Sequence, residues 1–179
     1  HLGSPDIAII DASWHLAAAG RNAKAEFASG RIPGAQFFDI DEISDTASSL
    51  PHMLPSPEKF SSRMRKLGIG DGKKVIAYDG AGLFSAARAW WMFKVFGHED
   101  AAVLDGGLPK WRAEGRPIDE EPPLKPQERH FTSRFQSLLL DSVRESIVGI
   151  DATRAVTYWN NGAQVLFGYA AEEALGCPI

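Results

Sequence analysis

Short apolar runs alternate with longer amphipathic stretches over the first two thirds of the chain. Four runs have the length and composition of buried strands, at residues 7–11, 35–40, 75–78 and 101–104. Helix signals lie between these runs, at residues 21–29, 56–67 and 85–96. Because strands alternate with helices, we predict an α/β fold with a mainly parallel sheet.

The helix predicted at 56–67 has the clearest end signals. Ser56 is a suitable N-cap, and Pro57 fits the first helical position. Apolar side chains recur on one face, and basic side chains lie in the last turn. Gly68 then suits the position just after a helix, so both ends are predicted from local sequence.

The helix predicted at 85–96 is apolar on nearly every side, interrupted mainly by Arg88 and Lys94. A helix with this pattern is typical of a buried element. Trp90 and Trp91 are therefore expected to pack in the core rather than to stack on a ligand.

Composition changes after residue 115. Prolines occur there among charged residues, at Pro117, Pro122, Pro123 and Pro126. We predict a linker or a surface-wrapping arm over 116–135 that adds no core element. The chain would then consist of a domain at 1–115, this Pro-rich linker or arm, and a separate segment at 136–179.

The segment at 136–179 has its own pattern. Two strands are predicted at 146–150 and 155–159, around a turn at 151–154. Asn160 is then suited to cap a helix that runs to about Phe167 and ends at Gly168.

Composition and charge limit the classes of function. The chain has 179 residues, 44% apolar and 23% charged, which is ordinary for a globular protein. A net charge of −4 gives no general reason to bind nucleic acid or an anionic membrane, and no apolar run is long enough for a transmembrane helix. The chain begins with HLGSP, without an initiator Met or a signal-peptide pattern. We therefore expect a fragment of a longer, cytoplasmic protein.

Metal, disulfide and cofactor chemistry have little support in the sequence. The single cysteine, Cys177, excludes an internal disulfide and a multi-cysteine metal site. The histidines show no metal-ligand spacing. We expect no metal and no cofactor, and we interpret Cys177 as an ordinary thiol near a frayed end.

The strand predicted at 75–78 leads into a loop that ends at a helix N-terminus. The loop consists of Asp79, Gly80, Ala81, Gly82, Leu83, Phe84 and Ser85. Such an arrangement places backbone N–H groups and the positive end of a helix dipole around an anion or a cysteine thiolate. Asp79 occupies the first position, where a carboxylate gains about 0.3–1 kcal/mol as a cap. A carboxylate, however, has no thiol and cannot serve as a thiolate nucleophile.

Five stretches stand in order along the first part of the chain: IIDASWHL, GRNAKAEFASGRIPGAQFFDIDEISD, LPHMLPSPEKF, VIAYDGAGLFSAARAWWMFKVFGH and VLDGGLPKW. Together they resemble the first domain of the two-domain rhodanese-like sulfurtransferases, and among these the 3-mercaptopyruvate sulfurtransferases. The resemblance implies a rhodanese fold, a parallel sheet with helices on both sides. It also implies that this domain is the non-catalytic copy. In the second domain of such enzymes, a cysteine that carries the persulfide opens the loop at the place of Asp79.

The resemblance also bears on side chains outside the loop. Asp41 and His52 match first-domain residues that act with a serine of the second domain's loop, and histidine is suited to proton relay when a carboxylate orients it. A solvated loop histidine and a surface aspartate are the alternative. Arg21 and Arg88 are expected to form structural ion pairs. Arg31 stands where many relatives have His, and we expect it in an exposed turn.

The last stretch, SIVGIDATRAVTYWNNGAQVLFGYAAEEALGCPI, resembles the opening of a PAS sensor domain. Two hypotheses follow. In the first, the chain is the non-catalytic domain of a sulfurtransferase; its partner is the missing catalytic rhodanese domain, and a small thiol or sulfur substrate binds only in the full enzyme. In the second, it is a rhodanese-like module that binds an interacting protein and is fused to a PAS signalling sensor.

Overall fold

A computed structural model describes residues 2–133, 146–150 and 153–178. The chain divides into two compact units, 1–135 and 136–179, each of which is described by itself. The turn predicted at 151–154 includes Asp151 and Ala152, which lie outside the described residues. Within the described ranges, no helix is long and apolar enough to cross a membrane.

The first unit is built on a parallel sheet of four strands. In chain order they are β1 (Ile7–Asp11), β2 (Gln36–Phe37), β3 (Lys74–Tyr78) and β4 (Ala101–Val103). Their order across the sheet is β2-β1-β3-β4, and neighbouring strands are parallel. The predicted parallel α/β fold is therefore confirmed. The register sets Asp11 beside Tyr78, so the residues that follow β1 and β3 emerge at the same edge of the sheet.

Helices lie between the strands and after the last one. They are α1 (Ala23–Ser29), α2 (Ile40–Ile43), α3 (Pro57–Lys66), α4 (Ala86–Val95) and α5 (Gly107–Ala113). The Ser56 hydroxyl accepts a hydrogen bond from the Lys59 N–H at 3.2 Å, so the predicted cap of α3 is present. The Asn22 side chain caps α1 in the same way, through the Ala25 N–H.

The strand predicted at 35–40 is shorter in the structure. β2 ends at Phe37, and Ile40 is the first residue of α2. The cause is local, because the Asp39 carboxylate accepts a hydrogen bond from the Asp41 N–H and thereby caps a helical turn. Sequence analysis also missed α5, which begins directly after Gly106.

Helices cover both faces of the sheet, so successive strand residues point into two different cores. Val75 and Ala77 of β3 pack in the larger core, together with α2, α3 and α4. Tyr78 packs in the smaller core against Phe27 of α1 and the partly buried Trp111 of α5. This two-sided burial explains why the strands are apolar runs without a polar alternation.

The Pro-rich segment contributes to the larger core. Phe131 is 1% exposed, and its ring centroid lies 5.9 Å from that of Phe60. Beyond it, the Ser133 Oγ lies 2.6 Å from the Ser61 Oγ. The prediction that 116–135 adds no core element is therefore wrong at Phe131. A single apolar residue in a polar stretch has no periodicity by which its burial could be predicted.

Arg31 is buried rather than exposed, which corrects the expectation of an exposed turn. Its side chain is the largest among the fully buried ones that the structure describes. The Nη2 atom donates to the Asp119 carboxylate at 3.0 Å and to the Glu121 carbonyl at 2.5 Å, and the guanidinium lies over the Phe27 ring. The backbones of Arg31 and Asp119 also pair as an antiparallel bridge. Arg31 therefore holds the beginning of the Pro-rich segment against the first unit.

The prediction of core packing is wrong for Trp90. Its side chain is 37% exposed, and its Nε1 donates to the Ala101 carbonyl at 3.0 Å. Trp91 is partly buried and packs against the larger core. The face of α4 that is fully buried consists of smaller and linear side chains together with one Phe, namely Ala86, Ala89, Met92, Phe93 and Val95. An all-apolar pattern could not indicate which face meets the sheet.

Within the described residues of the second unit, β5 (Val148–Ile150) and β6 (Val156–Trp159) form an antiparallel pair. Two short helices follow, α6 (Asn161–Phe167) and α7 (Ala171–Ala174). The Asn160 side chain accepts hydrogen bonds from the Ala163 N–H at 2.9 Å and the Ile147 N–H at 2.8 Å. It therefore caps α6 and also ties the helix to the segment that precedes β5.

Candidate functional site

The loop after β3 closes around the carboxylate of its own first residue. Asp79 is 1% exposed. Its Oδ1 accepts hydrogen bonds from the N–H groups of Ala81 and Gly82, at 2.9 and 2.8 Å. Its Oδ2 accepts from the N–H groups of Phe84 and Ala86, at 2.7 and 2.9 Å. Residues 79–86 thus form a cradle of backbone donors, the Asp79 cradle, which the Asp79 side chain fills.

Two opposing effects decide the charge of Asp79. Burial by itself would raise the pKa of the carboxyl group, because the ionised form loses its hydration. The four backbone hydrogen bonds favour the ionised form and outweigh burial, so the pKa of Asp79 is lowered from its ordinary value. At neutral pH the Asp79 cradle therefore holds a negative charge, and its donors are already engaged.

A second carboxylate, Asp11, supports the Asp79 cradle. The Gly80 N–H donates to the Ser13 Oγ at 2.8 Å, and the Ser13 hydroxyl donates to the Asp11 Oδ1 at 2.5 Å. Burial is the main reason that the pKa of Asp11 is raised, and the nearby charge of Asp79 acts in the same direction. Sequence analysis did not select Asp11 or Ser13. Their place at the carboxyl end of a parallel strand is the signal that could have found them.

The start of α5 lies against the Asp79 cradle. A Cβ atom at Gly107 would come 2.5 Å from the Asp79 carbonyl oxygen and 3.2 Å from the Cα of Gly82. The same carbonyl accepts a hydrogen bond from the Leu108 N–H at 3.0 Å. With a φ of 52°, Gly107 also has a left-handed backbone. Both the space and the conformation therefore require glycine at this position.

The outer side of the Asp79 cradle is apolar and exposed. Leu83 and Phe84 are 67% and 57% exposed. Phe84 also borders a cavity of about 190 Å³, which Trp14, His52 and Arg88 line as well. Phe84 thus contributes to both sides of the loop, because its backbone N–H binds the carboxylate of Asp79 while its side chain is exposed.

The structure brings Asp41 and His52 together at the same edge of the sheet. The His52 Nε2 lies 2.7 Å from the Asp41 Oδ1. The Asp41 side chain is 67% exposed, whereas that of His52 is 27% exposed. The imidazole and the Trp14 ring also form a T-shaped contact, with a centroid distance of 5.0 Å. A half-buried imidazole held by a carboxylate has the geometry of a proton-relay pair.

The two arginines selected from sequence have different surroundings. Arg21 makes a bidentate ion pair with Glu26, at 2.8 and 2.7 Å, as the prediction of a structural ion pair requires. For Arg88 the prediction is wrong, because none of the described carboxylates lies within ion-pair distance. Its Nη2 instead donates to the His52 carbonyl at 2.6 Å, and its guanidinium lies over the Trp91 ring at 4.4 Å.

Cys177 lies in the second unit and is exposed. Its thiol donates to the Glu173 carbonyl at 3.2 Å. Among the residues that the structure describes, no group of three His, Cys, Asp or Glu side chains is arranged to hold a metal ion.

Two family models match the chain. The model of the rhodanese-like domain matches residues 1–114, and that of the PAS fold matches residues 134–179. The first match covers the sheet, the Asp79 cradle and the Asp41–His52 pair. The second coincides closely with the second compact unit.

Curated relatives match the rhodanese-like part. The mitochondrial thiosulfate/3-mercaptopyruvate sulfurtransferase 1 of Arabidopsis thaliana is 53% identical over 119 residues, which are 66% of this chain and 31% of the relative. The 3-mercaptopyruvate sulfurtransferase of Escherichia coli K12 is 48% identical over 123 residues, 67% of this chain and 43% of the relative. The chain thus spans less than half the length of these relatives.

Solved structures give the same result. The crystal structure of SseA, a 3-mercaptopyruvate sulfurtransferase from Escherichia coli, matches with a TM-score of 0.71 and 42% identity, over 79% of this chain and 57% of that one. Tum1 from Saccharomyces cerevisiae matches with a TM-score of 0.68 and 30% identity, over 79% of this chain and 46% of that one. The match to the family model and the similarity to these relatives show that the chain belongs to the rhodanese-like domain family, and its homologues are 3-mercaptopyruvate sulfurtransferases.

Proposed function

We propose that the chain is the non-catalytic rhodanese-like domain of a thiosulfate/3-mercaptopyruvate sulfurtransferase, and that it transfers no sulfur by itself. One observation carries the proposal: the Asp79 carboxylate occupies the cradle that would otherwise hold a reactive cysteine, and it accepts all four inward N–H groups. A buried, ionised carboxylate has no sulfur with which to form a persulfide. The cysteine that carries the persulfide would belong to a second rhodanese-like domain.

In the full enzyme, this cysteine thiolate would attack the sulfur of 3-mercaptopyruvate. The carbon–sulfur bond breaks, and pyruvate leaves as an enolate that takes up a proton. The outer sulfur of the persulfide then passes to a thiol or to cyanide. The part that we assign to this chain is a proton relay through His52, which Asp41 orients from 2.7 Å, together with a serine of the second domain's loop.

The exposed apolar side chains at the carboxyl edge of the sheet support a role as one wall of a cleft. Leu16, Leu50, Leu83 and Phe84 are each more than half exposed, and each lies in a segment that follows one of the strands or α2. Exposed apolar side chains are a feature of surfaces that another protein part covers. We assign this surface to the catalytic rhodanese domain.

The test is an assay of thiocyanate release from cyanide, with 3-mercaptopyruvate or thiosulfate as the sulfur donor. We expect the chain to show only background turnover, and the same result for Cys177→Ser. Turnover that survives Cys177→Ser would contradict the proposal, because it would require chemistry at the Asp79 cradle. A positive control is the complete protein that the gene encodes, which should be active and should lose activity when its second-domain cysteine is replaced.

A second candidate function rests on the PAS match at residues 134–179. In this alternative, the rhodanese-like domain binds a protein partner and is fused to a PAS signalling sensor. The sequence encoded downstream distinguishes the two candidates. A CG-x-G loop there supports the sulfurtransferase, whereas the remaining strands of a PAS domain support the sensor.

The remaining assignments follow from composition. We propose a cytoplasmic location, although one plant relative is a mitochondrial enzyme. With a net charge of −4, we assign the chain no nucleic-acid or membrane partner. We assign it no cofactor.

A further inference from the structure

The Arg88 guanidinium is an unusual charge because it is partly buried and has no carboxylate partner among the described residues. Its Nη2 donates to the His52 carbonyl, and its Nε is buried without a hydrogen-bond partner in the described structure. Burial lowers the pKa of Arg88. A desolvated charge without an ion pair costs free energy that only other interactions can offset. The interactions that Arg88 makes are the hydrogen bond to the His52 carbonyl and the contact with the Trp91 ring.

Arg88 donates to a backbone segment in which the Asp45 N–H also donates to the Met53 carbonyl, at 2.9 Å. His52 has a φ of 54°, which is left-handed and strained for a residue other than glycine. It lies in the connection between α2 and α3, which runs from Ser44 to Ser56. Such a conformation persists only where neighbouring groups impose it. The hydrogen bond from Arg88 fixes the His52 carbonyl, and with it the peptide plane that follows the imidazole.

The Arg88 guanidinium has a second contact, with an aromatic ring on its own helix. Arg88 projects from α4, and its guanidinium lies 4.4 Å from the centre of the Trp91 ring, one turn further along the same helix. Cation–π stacking on tryptophan restricts a guanidinium that would otherwise sample many rotamers. Arg88 thus connects the helix behind the Asp79 cradle to the loop that carries His52.

We propose that Arg88 is the positioning residue for His52: stacked on Trp91, it fixes the His52 backbone so that the imidazole meets Asp41 and the Trp14 ring. The inference rests on the proposed function of the Asp41–His52 pair as a relay. This positioning role accounts for a guanidinium at residue 88, because a planar group can lie over the Trp91 ring and donate to the His52 carbonyl at the same time.

The test uses nuclear Overhauser contacts between the His52 ring and the Trp14 indole, measured by NMR on the full chain. Arg88→Met removes the charge and the hydrogen-bond donor but keeps much of the aliphatic part of the side chain. We expect the His52–Trp14 contact to fall to background in this variant. Arg88→Lys restores a charged donor and should recover part of the contact. The matched control is Arg65→Met on the exposed side of α3, which should keep the contact in full. Melting curves of all variants show whether the His52–Trp14 contact is lost while the domain remains folded.

A retained contact in Arg88→Met would overturn the inference, and so would an equal loss in Arg65→Met. Should Arg88→Met not fold, Trp91→Phe decides the question, since it keeps an aromatic side chain against the larger core, narrows the surface under the guanidinium and should weaken the contact. The proposed function is tested separately by His52→Gln in the complete enzyme, where a fall in kcat is expected. An unchanged kcat would refute the relay while leaving the positioning result intact.

Discussion

Replacing Asp79 by Asn tests the central feature of the site, because it removes the charge and one of the two acceptor oxygens while keeping the size of the side chain. The Asn carbonyl oxygen can accept hydrogen bonds from only two of the four N–H groups, and its NH₂ group then faces the other two donors. Two charge-assisted hydrogen bonds are lost, each of which contributes about 1.5–3 kcal/mol. We therefore expect the free energy of unfolding to fall by about 3–6 kcal/mol, a large share of the stability of an ordinary domain.

The assay is urea unfolding at pH 7, followed by far-UV circular dichroism. The matched control is Asp105→Asn, since Asp105 follows the neighbouring strand β4 but has a side chain that is 88% exposed. The control should leave the urea midpoint essentially unchanged. A loss below about 1 kcal/mol for Asp79→Asn would refute the reasoning, because it would mean that the buried N–H groups find other acceptors at little cost.

The dependence on pH provides a second check on the same variant. The pKa of Asp79 is lowered in the fold from an ordinary value of 3.8, so the ionised carboxylate stabilises the fold above that value. This stabilisation is lost as the pH falls below 3.8 through the folded-state pKa. The difference between the wild type and Asp79→Asn should therefore stay constant from pH 7 to about 5 and shrink in acid. A difference that persists undiminished at low pH would show that charge is not its source.

Three further predictions concern the Asp79 cradle and the core. Asp79→Cys in a Cys177→Ser background should have a thiol pKa below about 8.5, measured from the pH profile of iodoacetamide labelling; a value at or above this would mean that the loop is no cradle. Gly107→Ala should lower the unfolding free energy by about 2 kcal/mol or more, since its Cβ would lie 2.5 Å from the Asp79 carbonyl, and a neutral effect in urea unfolding would disprove that contact. Residues 1–135 alone should unfold cooperatively, with a melting temperature close to that of the full chain, whereas Phe93→Ala should lower the free energy of unfolding by about 3–5 kcal/mol. A larger loss of stability on truncation than for Phe93→Ala would mean that the second unit is part of the core.

Elements with local signals are those that the sequence predicts well. Ser56 and Pro57 indicate the start of α3, and Asn160 indicates the start of α6, because a cap involves only residues within one turn. The strands β1 and β3 are apolar runs that are buried on both faces, so composition alone identifies them. The early end of β2 also had a local signal, the Asp39 cap, which the apolar character of 35–40 obscured.

Features that depend on distant partners were mispredicted. Arg31 is buried because Asp119 and Glu121, about ninety positions later, supply its acceptors. Phe131 reaches the core only because the chain returns past α3. Trp90 lies at the surface because the smaller side chains of α4 face the sheet. In each case the burial or exposure of the side chain depends on contacts with other segments, and the local sequence alone cannot predict these contacts.

The sequence by itself determined the α/β class, the family resemblance and the presence of a carboxylate at the first position of the loop after β3, since these depend on the order and type of residues. Only the tertiary structure decided what that carboxylate does. The convergence of four N–H groups on Asp79, its support by Asp11 through Ser13, and the hold of Arg88 on His52 all depend on segments that meet at one edge of the sheet. The physical reason is that hydrogen bonds act over about 3 Å, so their partners are set by the three-dimensional path of the chain.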